Sequence, residues 1–164
     1  MNAVTQHSLI RATDEAVRLW ALTSAQYPSQ HQQILDVATA SVIEATSAFA
    51  LHARRAMEIL PRSEKFPLVQ SRWIWVPTAP GEIVRDLWDA LSRIIHAQRL
   101  TVGFEKLPPQ LSAIGGGAVV VPYIQAATDR KPIAFIDPFA LAYAYLYDVY
   151  PRLVAAEKKI EGMH

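Results

Sequence analysis

Gln30–Leu60 reads QHQQILDVATASVIEATSAFALHARRAMEIL, and its periodicity decides the fold class. Leu35, Ala38, Val42, Ala45, Phe49, His52, Ala56 and Ile59 recur at steps of three and four. Such a stripe stacks on one face of a helix and buries that helix along its length. Ser29 offers a side-chain acceptor to the first free amides, and Pro61 cannot continue the hydrogen-bond ladder. The spacing predicts a helix over 30–60. Upstream, Leu9, Ala16, Trp20 and Tyr27 mark a helix over 5–27, which Pro28 stops. The short break between the two predicts an antiparallel pair.

A third helix is expected over 82–100, with Val84, Leu87, Trp88, Leu91, Ile94 and Ile95 on its buried side. Asp137-Pro138 pairs a capping side chain with proline at the first helical position. It opens a fourth helix over 138–158, which Pro151 kinks or ends. Three segments read as strands. Residues 72–76 are aromatic and β-branched. Residues 118–125 carry Pro122, which favours an edge. Residues 132–136 follow the polar turn Thr128–Lys131. Gly115-Gly116-Gly117 precedes no lysine-serine or lysine-threonine pair and opens no helix, so it reads as a connection rather than a phosphate loop. The expected layout is mainly α. It is a four-helix bundle forming one domain over 1–164, with a small β-hairpin or short sheet inserted between the third and fourth helices.

A chain of 164 residues is long enough to bury a real core. Its net charge of +1 gives no global electrostatic case for nucleic acid or membrane. There is no cysteine, which excludes disulfides, thiolate nucleophiles and cysteine metal sites. No run of 18 apolar residues occurs, so no membrane span is expected. Met1–Arg11 lacks a basic start followed by an apolar run. The expectation is a soluble cytoplasmic protein. No Walker lysine, GxGxxG, GxSxG or metal-ligand spacing appears, so no cofactor and no metal are expected.

Chemistry concentrates on the polar side of the third helix. Arg85, Asp89, Ser92, Arg93, His96 and Arg99 are separated by threes and fours and share one broad face. Histidine exchanges a proton near neutral pH, and neighbouring guanidinium groups attract phosphate. His96, Arg93 and Ser92 are the candidate catalytic group, and Arg85, Arg93 and Arg99 the candidate phosphate or RNA contacts. The same spacing also fits a solvated face with ordinary ion pairs, such as Asp89 with Arg93. His52 lies on the core stripe and would approach His96 if the second and third helices are neighbours. Tyr143, Tyr147 and Tyr150 recur at helical spacing and form a candidate interface for a homodimer or a protein partner. Trp73 and Trp75 either stack on bases or cover the core. A small-molecule pocket between bundle and hairpin would be lined by Trp88, Tyr123 and Phe135.

At Ser92-Arg93-Ile94-Ile95-His96-Ala97 the chain resembles HEPN-like proteins, many of which carry a segment like Asn-Lys-Ile-Ile-His-Ala. The resemblance implies a helical bundle, often dimeric, in bacterial toxin–antitoxin, antiphage or RNA-processing settings. In the family's active ribonucleases an arginine precedes the histidine by four to six intervening residues, a polar residue follows that arginine, and two such sites meet in a dimer to cut RNA without metal. The histidine carries over to His96, and Ser92 stands where asparagine is common. The arginine does not carry over, because its permitted positions are Asp89, Ala90 and Leu91. The resemblance therefore implies a non-catalytic or degenerate module that binds RNA or a protein partner. The alternatives are a metal-independent endoribonuclease acting as a dimer and a small-molecule-binding helical domain.

Overall fold

A computed structural model describes residues 2–163. The chain is mainly helical, with two small sheets. The first helix, α1, spans Ala3–Ser24, and the Asn2 side chain accepts a hydrogen bond from the Thr5 amide at 2.8 Å. The second, α2, spans Gln32–Ala56 and tightens into a 3₁₀ turn over Met57–Ile59. The two run antiparallel, since His7 meets His52 near one end and Arg18 meets Glu44 further along. Ala12 and Ala16 on α1 and Ala45, Ala50 and Ala53 on α2 are fully buried. Small side chains at the seam let the two backbones come close. Phe49 fills the centre of the core and meets Tyr145 edge to face at 5.5 Å.

The ends of the first two helices differ from expectation. Residues 25–27 lie outside α1, because Tyr27–Pro28 form a short strand, β1. Ser29 does not cap α2. Its amide and hydroxyl donate to the Gly117 and Gly116 carbonyls, and the ring of His31 accepts from the Ile34 amide instead. Helix Gln32–Ile59 is long and apolar enough to cross a membrane by length and composition, although polar residues interrupt its apolar runs. Here α1 covers one side of it.

The expected helix over 82–100 is much shorter. Glu82–Ile83 is a strand, β2, and the helix α3 spans only Leu87–Ile95. The reason lies at both ends. The Glu82 and Val84 amides donate to the Ile133 and Phe135 carbonyls, drawing the chain into a sheet. Asp86 then caps α3, its carboxylate accepting from the Asp89 amide at 3.3 Å and from the Phe66 amide at 3.1 Å. At the far end the Gln98 amide donates to the Ala127 carbonyl at 2.9 Å, so Arg99–Val102 becomes a strand, β3.

Four strands follow: β4 Glu105–Lys106, β5 Ala118–Val120, β6 Ile124–Ala127 and β7 Ala134–Ile136. One sheet has the order β1-β5-β4, the other β2-β7-β6-β3. The expected strand over 118–125 is thus two strands in two sheets. Pro122, which cannot donate to a ladder, sits at the crossing. The expected hairpin between the third and fourth helices exists as β6–β7, but β2 joins it in parallel from before α3. Residues 72–76 are not a strand. Their indoles are tied down individually, Trp73 Nε1 donating to the Thr23 carbonyl at 2.7 Å and Trp75 Nε1 to Asp137 at 3.1 Å.

The last helical rod starts with α4, Pro138–Ala144, passes through one π turn over Tyr145–Val149, and continues as α5, Tyr150–Glu161. Pro151 neither ends nor breaks it. Proline lacks an amide donor and crowds the carbonyl four residues before it. The ladder widens just ahead of Pro151, with the Tyr150 amide donating to the Tyr145 carbonyl, and so absorbs that demand. α1 packs against both α2 and α4, and α2 also packs against α3.

Candidate functional site

α3 ends at Ile95, and His96 follows as its cap, with its backbone out of the helix and its ring exposed to solvent. The ring opens on a cavity of about 320 Å³. Ser92, Arg93 and Gln98 line the α3 side of it. The opposite wall is the β6–β7 turn, Thr128 to Lys131, held by the Lys131 amide donating to the Thr128 hydroxyl at 3.2 Å. The pairing of β3 with β6 fixes this arrangement, because Arg99 lies opposite Ala127 and brings the turn beside the helix end.

The charges in this hollow are not equally available. Arg93 is largely buried and held by two carboxylates, that of Glu82 on β2 and that of Asp89 one turn earlier at 3.4 Å. Arg130 and Lys131 are exposed and have no ion-pair partner among the described residues, and Asp129 is the one acidic residue on the wall. The cations free to meet an anion are therefore those of the turn. Ser92, Thr128 and Gln98 add neutral polar groups. Together these residues can hold a phosphate against a single imidazole, and no second histidine lines the cavity.

The other sequence-picked residues scatter. Arg99 lies on β3, exposed and off the cavity. Arg85 precedes α3 and lines a different cavity, beside Trp73, Trp75 and Asp137. His52 does not share a site with His96. It meets His7 edge to face at 5.9 Å, and its charged neighbours are Arg11, His7, Arg55 and Glu15. Burial, and then the Arg11 guanidinium, hold its pKa below the usual histidine value. Tyr143 and Tyr147 stack at 4.4 Å and continue onto Trp20 of α1, which makes them an aromatic ladder within the chain. Tyr147 and Tyr150 still present substantial area to solvent. Trp88, Tyr123 and Phe135 are all buried and do not face a common pocket. Tyr123 and Phe135 pack with Trp75, whereas Trp88 lies under the Arg62 guanidinium. Among the described residues no group of three or more histidine, aspartate or glutamate side chains comes together to hold a metal.

Two features escaped the sequence. The turn Thr128–Lys131 was legible as polar, but nothing local places it against His96. Asp137 was legible as a helix cap, but its burial and its bonds to Ser71 and Trp75 arise from segments 60 or more residues away in the chain.

Compared with protein-family models, with curated proteins and with solved structures, the chain matches none.

Proposed function

We propose that this chain is a HEPN-like module that grips RNA by its phosphates at the His96 cavity and does not cut it. In this proposal its helices form a four-helix bundle carrying the small sheet, in a bacterial defence or toxin–antitoxin setting. The observation that carries the proposal is the division of charge around His96. Arg93 is neutralised by Glu82 and Asp89, while Arg130 and Lys131 stand free across the cavity from the imidazole. Free cations beside neutral donors suit phosphate. Cleavage of RNA needs a proton taken from one oxygen and one given to another, together with a charge clamp on the phosphate. The cavity of one chain holds one histidine where two proton carriers are called for, and the arginine beside it, Arg93, is already engaged by Glu82 and Asp89. The exposed Tyr147 and Tyr150 rings support assembly into a homodimer through the π turn and α5.

Binding of a fluorescent single-stranded RNA, measured by anisotropy across a salt series, tests this. Each phosphate neutralised on a single strand adds about 0.7 to the slope of log affinity against log salt. The double variant Arg130→Gln/Lys131→Gln is expected to lower that slope by about 1.4. The RNA is expected to stay intact with chelator present, for wild type and His96→Ala alike. Cleavage by wild type that vanishes in His96→Ala would establish the endoribonuclease alternative. A salt slope unchanged in the double variant would reject the cavity as the RNA site.

A further inference from the structure

A second cavity, of about 540 Å³, lies between the 68–75 segment, β2 and the start of α4. Two charged residues line it, Asp137 and Arg85. Asp137 is 8% exposed. Its Oδ1 accepts from the Ala140 amide at 3.0 Å. Its Oδ2 accepts from the Ser71 hydroxyl at 2.5 Å and from Trp75 Nε1 at 3.1 Å. All three donors are neutral. They aim the carboxylate without cancelling its charge. No lysine, arginine or histidine lies within 4.0 Å of it among the described residues.

A buried carboxylate with no cation is an expensive arrangement, and the amides at the start of α4 offset only part of it. Burial pushes the Asp137 carboxyl above its usual range, against the pull of its hydrogen bonds. Besides Asp137, Arg85 and the Ser71 hydroxyl, the wall is aliphatic or indole. Trp73, Ile74 and Trp75 line one side, and Leu68 and Val84 add aliphatic surface. Indole faces attract organic cations, and the Arg72 guanidinium already takes one face of Trp73, 4.2 Å from the ring centre. Arg85 is exposed, so water and salt screen its charge far more than that of Asp137.

We propose that this cavity binds a small organic ammonium ion with an apolar body, its cationic head on Asp137 and its body against Trp73, Ile74 and Trp75. The ammonium supplies the charge partner that the fold withholds, and its body covers the indole wall.

Titrating phenethylammonium into the full chain, read by tryptophan fluorescence, tests this. Phenethyl alcohol and 3-phenylpropionate serve as neutral and anionic probes of similar shape. A saturable signal is expected with phenethylammonium, at least about tenfold weaker with the alcohol. Asp137→Asn keeps a side-chain acceptor for the Ala140 amide and is expected to lower the ammonium affinity about tenfold or more. Far-UV circular dichroism checks its folding. Ile74 gives a second handle independent of that variant. It lines the cavity yet is 98% exposed, so charge placed there leaves the core alone. Ile74→Lys is expected to weaken phenethylammonium severalfold and Ile74→Glu to strengthen it. The proposal is overturned by no saturable signal, by equal affinities for ammonium and alcohol, by tighter binding of 3-phenylpropionate, or by an Ile74 pair that does not move the affinity.

Discussion

Tyr145 sits at the junction of α1, α2 and the π turn with its ring fully buried. Its hydroxyl lies 3.1 Å from the Thr13 hydroxyl and donates to the Leu9 carbonyl at 3.3 Å. Burial pushes its pKa up to about 12. Tyr145→Phe removes that hydroxyl and nothing else. Thr13 still donates to the Leu9 carbonyl at 2.8 Å, so no buried donor is stranded. At neutral pH the loss is one net hydrogen bond, about 1 kcal/mol. For a chain of this length that lowers the melting temperature by roughly 2–4 °C. Alkali reverses the order. The folded pKa lies above the unfolded value of about 10, so the stability linked to the protonated phenol is complete below pH 10 and lost as pH rises towards 12. The difference between about 10 and about 12 gives wild type a loss of about 1.4 kcal/mol by pH 11 and about 2 kcal/mol by pH 12. Tyr145→Phe does not incur it. The two stability curves should therefore cross between pH 10 and 11, with the variant the more stable form above the crossing. Urea unfolding of both proteins at pH 8, 10 and 11, followed by circular dichroism, measures this directly. A gap that stays constant from pH 8 to pH 11 would refute a buried, hydrogen-bonded phenol at this position.

Phe49→Ala empties the centre of the core and should cost about 3–5 kcal/mol, seen as a fall of about 6–20 °C in melting temperature. A fall of only a degree or two would mean that Phe49 is not enclosed. Gly103→Ala puts a Cβ within 2.3 Å of the Tyr123 ring, which is wedged beside Trp75 and Phe135. About 1–3 kcal/mol of destabilisation is expected from this overpacking, and a wild-type urea midpoint would count against the contact. His52 titrates below the usual histidine value in the fold, so its contribution to stability is complete above about pH 6.5 and lost as pH falls through the lower folded value. His52→Gln should shrink the drop in urea midpoint between pH 7.5 and pH 5, and an unchanged drop would exonerate this residue.

The candidate site was half legible. His96 stood out because it lies in a short polar pattern on an otherwise apolar segment, and the structure does bring Ser92, Arg93 and His96 to one cavity. The roles assigned to the arginines did not transfer. Spacing alone says that Arg93 can pair with Asp89. It cannot say that Glu82, on a separate strand, completes its neutralisation. Arg99 shares the helical phase of His96 only if the helix continues, and it stops at Ile95.

Local periodicity was enough to determine that α1 and α2 exist, and Asp137-Pro138 the start of α4, but not where α1 ends or what caps α2. A long stripe at 3.6-residue spacing, an aspartate cap and a proline each act within a few residues of where they are read. Whether 82–86 coils or extends was decided elsewhere, because the Ile133 and Phe135 carbonyls that capture Glu82 and Val84 lie some 50 residues away in the chain. The same holds for both cavities. A turn between two strands faces a helix end only after β3 pairs with β6, and Asp137 becomes a buried charge only once Ser71 and Trp75 fold over it. Helical periodicity reports short-range geometry, whereas strand pairing and charge neutralisation depend on which distant groups the tertiary fold brings to an open hydrogen bond.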